Sequence, residues 1–319
     1  MAAHPTAEDV DAAAHTLAGR VLRTPLLPSP ALSARAGHEV LIKAELFQRG
    51  GSFKLRGATN RVRAMTAEEK ARGVTTISAG NHALAVALVC RAESVAATVF
   101  MPRGASTMKV EATRAQGATV DLDGEDVGAA FARMHDFARE RGAFVLHPFD
   151  DPLVIAGQGT VGAELADDLP EVESVVVPVG GGGLISGIAL AVKARRPNAR
   201  VIGVEPRNAA TLSAGLAAGE PVRPPDWGPT IADALAPPTA GAHAVAICAR
   251  LVDEVVTLDE EELRAGLRCT YSDAKLACEA GGAAAVAALV AGKIDAPGPM
   301  VVVVSGGNIA PAELARLLT

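Results

Sequence analysis

Short β-branched runs alternate with alanine-rich amphipathic stretches, and this alternation constrains the fold more than any other feature of the chain. "VTTIS" precedes "NHALAVALVCRA", "ATVFMP" precedes "STMKVEATRAQG", and "FVLHPF" precedes "AGQGTVGAELADDL". "SVVVPVG" precedes "LISGIALAVKARR", "RVIGVEP" precedes "AATLSAGLAAG", and "MVVVVSGG" precedes "APAELARLL". Strand and helix alternating at this spacing mark βαβ units and mainly parallel sheets. The uninterrupted apolar runs "SVVVPV" and "MVVVV" predict strands covered on both faces. Two polar connections, residues 66–73 and 147–152, bracket three or four such units. The expected organisation is α/β, with two open, mainly parallel domains: a large one from residues 1–65 and 150–319, and a small one, 66–149, inserted into it. The cleft between two such sheets is the expected ligand site.

Composition narrows the partner. At 319 residues the chain can bury two cores, and 49% hydrophobic with 21% charged residues is ordinary for a soluble globular protein. The formal net charge of -6 and the lack of a Lys/Arg stripe argue against a nucleic-acid surface and for a small-molecule partner. Arg91, Glu93, Lys193 and Lys293 interrupt the longest apolar runs, so no segment reaches the roughly 18 to 20 residues needed to cross a bilayer. "MAAHPTAEDVDAAAH" has neither the basic nor the apolar region of a secretory signal. Cys90, Cys248, Cys269 and Cys278 stand far apart with no C-x-x-C pair, which reads as reduced thiols in a cytoplasmic protein; a metal-binding or catalytic thiol is the alternative.

Four stretches can carry chemistry. In "GGSFKLRGA", Lys54 stands between Phe53 and Leu55. An apolar setting disfavours the ammonium, so the amine becomes available as a nucleophile or base; a snorkelling structural lysine is the plainer reading. In "VVVPVGGGGLISG", a buried strand runs into Gly180, Gly181, Gly182 and Gly183 before an apolar helix. Side-chain-free residues there let several N–H groups face one anion, although the same glycines also suit a tight packing turn. The lysine of a nucleotide-triphosphate loop and the spacing of a dinucleotide fingerprint are both missing. In "TTISAGNHALAVA", Ser78, Ala79, Gly80, Asn81 and His82 lie where strand gives way to helix, so their amides can receive a carboxylate. For the His82 side chain the expectation is a satisfied core histidine. In "MVVVVSGGNI", Ser305 follows the most apolar strand, where a hydroxyl can meet a ring nitrogen without protonating it; a simple serine turn is the alternative. Amine, phosphate cradle and ring-nitrogen partner are the protein elements that pyridoxal 5'-phosphate requires.

With these residues in place the sequence resembles the fold-type II pyridoxal-phosphate enzymes, the tryptophan synthase β-like fold, and within them the threonine/serine dehydratases. The resemblance runs from "RTPLLPSPALS" through "GSFKLRGA", "SAGNHALAVA", "HPFDDPLVIAGQGT", "PVGGGGLISG", "GVEP" and "TIADAL" to "VSGGNI". It implies that the cofactor sits in the interdomain cleft, that Lys54 holds it as a Schiff base and removes the substrate's α-proton, and that Phe53 packs on its ring. It further implies that Asn81 bonds the 3-hydroxyl, that Gly180 to Gly183 and Leu184 hold the phosphate by main chain, that Ser305 meets the ring nitrogen, and that Glu279 lies near the ring. The implied substrate is L-threonine or L-serine, docked on the amides of Ser78 to His82 and eliminated to a 2-oxo acid and ammonia. A homodimer is the implied assembly. Gly50, Gly51 and Ser52 then read as a mobile, hydrogen-bonding lead-in close to the substrate.

Departures from sister groups sharpen this. Cysteine-synthase-like enzymes carry a "SVKDR" type of motif where this chain has "SFKLR". Serine racemases look like "SSGNH", whereas this chain has Ala79 and so lacks the second hydroxyl that reprotonates from the far face. The racemase branch binds a divalent cation through a glutamate and an aspartate; here Glu205 is present but Thr211 occupies the aspartate position, so no metal is expected. Leu84 and Ala234 replace the family's usual glutamine and glycine, which opens the alternative of another β-hydroxy amino acid such as 3-hydroxyaspartate. A catalytically dead ligand-binding scaffold is the non-enzyme alternative.

Overall fold

The computed structural model describes residues 3–319. Its strands are β1 (Leu26–Pro28), β2 (Val40–Ala44), β3 (Val74–Ile77), β4 (Ala97–Pro102), β5 (Thr119–Gly124), β6 (Phe144–Val145), β7 (Ser174–Pro178), β8 (Arg200–Pro206), β9 (Glu254–Leu258) and β10 (Met300–Val304). The helices are α1 (Ala7–Leu17), α2 (Pro30–Ala36), α3 (Lys54–Arg63), α4 (Ala67–Arg72), α5 (Asn81–Ala92), α6 (Thr107–Ala115) and α7 (Val127–Arg141), followed by α8 (Pro152–Asp168), α9 (Gly183–Arg195), α10 (Thr211–Ala218), α11 (Ala242–Leu251), α12 (Glu260–Ser272), α13 (Ala284–Val290) and α14 (Pro311–Leu318).

The strands form two sheets. A six-stranded sheet has the order β1-β2-β10-β7-β8-β9, and a four-stranded sheet has the order β5-β4-β3-β6. Every pairing is parallel except that of β1 with β2. The continuous apolar runs behave as their sequence predicts: each residue of β7 and β10 is buried, because helices cover both faces. On one face lie α12 and α13, through Leu263, Leu267, Val286 and Leu289. On the other lie α8, α9 and α11, through Val161, Leu165, Ile185, Ile188 and Val245.

The core under the four-stranded sheet takes Ala83, Val86 and Val89 from α5, but also Leu55, Ala58 and Val62 from α3 and Val154 from α8. Helix α3 is therefore shared, and the lysine at its first position stands where the two sheets meet.

Beneath α3 lies a fully paired charge cluster. Arg56 donates through Nε and Nη2 to the two Glu45 oxygens at 2.8 Å each, and through Nη1 and Nη2 to Glu164 at 2.6 and 2.9 Å. Lys43 donates to Glu164 at 2.7 Å and to the Thr24 carbonyl at 2.8 Å. Burial opposes the Glu45 charge, but Arg56 outweighs it and holds that carboxyl below its ordinary value. Removing one partner would leave a buried charge unpaired, so the cluster fixes α3 against β2 and α8.

Candidate active site

A cavity of about 330 Å³ lies between the sheets, and Lys54, Ser78 to His82, Gly180 to Leu184, Glu279 and Ser305 all line it, with Phe53 beside the amine. Thus residues named from separate stretches of the sequence converge. The Lys54 Nζ donates to the Pro148 carbonyl at 2.8 Å and lies 5.2 Å from the Phe53 ring centre. Burial lowers its pKa to about 8, against the pull of the Glu279 carboxylate, so a substantial neutral fraction exists near physiological pH.

Three helices begin at this cavity, and none of their N-cap side chains closes the end: Phe53 for α3, Gly80 for α5 and Gly182 for α9. The first amides of a helix have no partner inside it, and the helix dipole places positive potential there. At α9 the open end is enforced sterically. Gly182 has a left-handed φ of 86°, and a Cβ on it would come within 2.5 Å of Ala244. A Cβ on Gly181 would strike the Phe149 ring, and one on Gly183 would lie 2.8 Å from the Phe149 carbonyl oxygen. Only glycine lets the main chain pass this close to Phe149 while it lines the cavity.

On the opposite wall the side chain of Asn81 donates to Glu279 at 2.5 Å and accepts from Asn308 at 2.7 Å. Burial raises the Glu279 pKa to about 7, opposed by the Asn81 hydrogen bond, so this carboxyl changes charge near neutrality. Ser305, at the end of β10, is buried; its carbonyl accepts from the Phe53 N–H at 3.1 Å and its hydroxyl makes no hydrogen bond to a described residue. The Ser78 hydroxyl accepts from the Gly80 N–H at 3.2 Å, which bends the chain into α5, and Ala79 presents only a methyl group.

Two expectations need amendment, and Glu205 has a role that the sequence does not suggest. The lead-in to the lysine is not mobile: Ser52 is buried and bridges to Gly306, the Gly51 carbonyl accepts from Gly307 at 2.8 Å, and the Gly50 carbonyl accepts from Asn308 at 2.7 Å. Gly50 and Gly51 have φ of 79° and 74°, so glycine serves a fixed left-handed turn rather than freedom of motion. His82 is a core histidine but not a satisfied one, since Nε2 donates to the Leu146 carbonyl at 3.2 Å while Nδ1 has no partner among the described residues. Burial and the nearby Lys54 lower its pKa to about 3, so the ring is neutral. Finally, Glu205 is a helix cap: its oxygens accept from the N–H groups of Leu212 at 2.6 Å and Ser213 at 3.0 Å and from the Ser213 hydroxyl at 2.6 Å, closing α10. Its burial pushes the pKa up to about 7.

Sequence reasoning also misses residues that the fold brings in. Lys109, Pro148, Phe149 and Asp233 line the cavity, and Asn308 ties Asn81 to the lead-in. "HPFDDP" and "SGGNI" stand out as stretches, but nothing local marks the Pro148 carbonyl, the Phe149 ring or the Asn308 amide as site groups.

The geometry agrees with what comparison shows. The family model described as "Pyridoxal-phosphate dependent enzyme" matches residues 17–306. The chain belongs to this family. Among its relatives, the L-threonine ammonia-lyase of Thermotoga maritima is 43% identical over 98% of this chain and 78% of its own length. The catabolic L-threonine dehydratase of Escherichia coli strain K12 is 39% identical over 97% of this chain and 95% of its own. Of solved structures, maize serine racemase superposes with a TM-score of 0.93 at 33% identity, covering 98% of this chain and 97% of that one. The processed form of threonine deaminase isoform 2 from Solanum lycopersicum superposes with a TM-score of 0.89 at 34% identity, covering 99% and 95%.

The cofactor of the family, pyridoxal 5'-phosphate, fits the residues present. A partly buried amine of lowered pKa suits its aldehyde, an uncapped helix end behind four glycines suits its phosphate, and a hydroxyl with no partner among the described residues lies on the same cavity.

Proposed function

We propose that this protein is an ammonia-lyase that eliminates water from L-threonine, L-serine or both to an enamine, whose imine tautomer takes up water and releases ammonia, giving 2-oxobutyrate or pyruvate. The observation that carries the reading is the meeting of Lys54, the open ends of α5 and α9, and Ala79 around one cavity. The names of the relatives in Thermotoga maritima and Escherichia coli point the same way.

When bound, pyridoxal 5'-phosphate supplies an electron sink for the carbon that loses its proton. Lys54 would hold the cofactor through its Nζ, and the same Nζ, when free, would take the substrate's α-proton. The amides of Gly180 to Leu184 would hold the phosphate, Phe53 would lie against the ring, Asn81 with Glu279 would meet the ring hydroxyl, and Ser305 would offer the ring nitrogen a neutral partner. The Ser78 N–H is given to the Phe100 carbonyl at 3.1 Å and the Gly80 N–H to the Ser78 hydroxyl, so of the amides from Ser78 to His82 those of Ala79, Asn81 and His82 would receive the substrate carboxylate. Ala79 leaves no hydroxyl on the far face to return a proton, which favours elimination over racemisation. Ala234 in the cavity wall supports a second reading, a different β-hydroxy amino acid as the preferred substrate. We further read residues 66–149 as the small domain, 1–65 with 150–319 as the large one, and the protein as a cytoplasmic homodimer; the described cysteines are all free and buried, and no described helix is long and apolar enough to cross a membrane.

Cofactor uptake tests the lysine. With a pKa of about 8, only about one tenth of the amine is neutral at pH 7, so uptake by apoprotein should accelerate as pH rises through 8 and then level off. Lys54→Ala should retain no borohydride-fixable cofactor and release no 2-oxo acid. Fixation unchanged in that variant would overturn the assignment, and a clear preference for 3-hydroxyaspartate across a substrate panel would overturn the substrate.

A further inference from the structure

The cavity wall holds two cations and two carboxyls among its described residues: Lys54, Lys109, Asp233 and Glu279. If Lys54 is committed to the cofactor, Lys109 is the cation left for a substrate. Its place is apt. Lys109 lies on α6, beyond the four-stranded sheet, and lines both the cavity and an adjoining groove of about 180 Å³; Gly80, the N-cap of α5, borders both spaces. Its Nζ donates to Asp233 at 3.0 Å, and Asp233 opens the short turn Asp233–Leu235 on the opposite lip. Burial works against the Lys109 charge, but Asp233, with Glu279 and Glu313 at longer range, keeps it protonated.

This ion pair is built to be exchanged. Asp233 is 66% exposed while Lys109 is only 21% exposed, so water competes for the carboxylate and the pair is weak. A lysine has a long, flexible stem and a point charge that can change partners without a fixed fork geometry. An arriving carboxylate at the start of α5 would offer it a partner in a drier place, where a charge-assisted hydrogen bond is stronger.

We propose that Lys109 is a substrate-binding residue. Its ammonium rests on Asp233 between turnovers and moves to the substrate carboxylate as that group docks at the N-terminus of α5, drawing α6 over the cavity mouth. Asp233 is only the resting partner, competing with the substrate carboxylate for the Lys109 ammonium. The inference rests on the reading of the α5 amides as the carboxylate site, and deepens it by adding a charged partner from the far side of the cleft.

The test uses holoenzyme and L-alanine, an amino acid with no β-leaving group, titrated against the visible spectrum of the bound cofactor, beside initial rates on threonine at several salt concentrations. Lys109→Gln should weaken L-alanine binding and raise KM by about tenfold, with kcat falling less than threefold and the salt dependence of kcat/KM flattened. Lys109→Arg should restore most of the binding, and Asp233→Asn should leave it equal or tighter. Melting temperature and cofactor absorbance establish that each variant is folded and loaded. Unchanged L-alanine affinity and salt slope in Lys109→Gln would overturn the proposal. So would equal losses in Lys109→Gln and Asp233→Asn, which would make the pair a brace; if Lys109→Gln fails to fold or load, Lys109→Arg and Asp233→Asn decide, and weaker binding in Asp233→Asn overturns it. Failure of the wild type to deaminate threonine would sink the proposed substrate yet leave the L-alanine result to stand or fall separately.

Discussion

Helices α9 and α12 are both 13 residues long, and they begin in opposite ways. Helix α12 is closed by its own residues: Asp259 accepts from Glu261 and Glu262, Glu262 reaches back to the Asp259 N–H, and three glutamates fill the first turn. Helix α9 has Gly182 and Gly183 where α12 has Asp259 and Glu260, then Leu184 and Ile185 where α12 has Glu261 and Glu262, so its N-cap offers no side chain at all. Helices α10 and α11 are closed from outside, α10 by Glu205 and α11 by Asp150, whose oxygens accept from Ala242 and His243 at 2.9 Å. An unfilled helix end forgoes about 1 kcal/mol of capping. Here α5 and α9 leave theirs unfilled at one cavity, and on the proposed reading that missing stability is the cost of two anion sites.

That contrast can be broken by closing an open end or opening a closed one. The largest effect should come from Gly181→Ala. Its methyl would meet the Phe149 ring, and overpacking of roughly 1–3 kcal/mol would displace the loop, weakening cofactor retention about 10- to 100-fold in an absorbance titration. Next comes Gly80→Asp, which gives α5 an N-cap like that of α12. A Cβ there meets nothing within 4 Å, so the fold should keep or gain melting temperature. Its carboxylate would occupy the amides meant for substrate, raising KM by about tenfold; an unchanged KM would remove α5 from the site. The smallest effect should follow Asp259→Ala, which opens α12 and should lower unfolding stability in urea by about 1 kcal/mol while cofactor binding and turnover stay as they were.

How much of this the sequence discloses depends on how local each signal is. The strand-to-helix switches at residues 78–82 and 179–184 are readable because glycine, strand and helix signals lie within a few residues of one another. Lys54 is readable for the same reason. Strand β2 escapes assignment because "VLIKA" carries Lys43, and a lysine in a fully buried strand makes sense only beside Glu164, 121 residues away. Strand β5, "TVDLDG", is largely uncovered on the sheet edge and has no apolar run to betray it. The pair Lys109 and Asp233 is separated by 124 residues, and neither has a neighbour that hints at the other. Even the lead-in glycines mislead: flexibility is what glycine permits, whereas the bonds to residues 306–308 decide what it does here.

The position of β10 carries a consequence for biogenesis. It is the last strand in chain order, yet it lies in the interior of its sheet between β2 and β7, and residues 305–308, just beyond it, clasp residues 50–53. On the ribosome β2 must therefore wait, unpaired on that side, while roughly 260 further residues are made. A nascent chain stopped before Met300 has a lysine without its clasp, so cofactor capture should wait until β10 and residues 305–308 have been made.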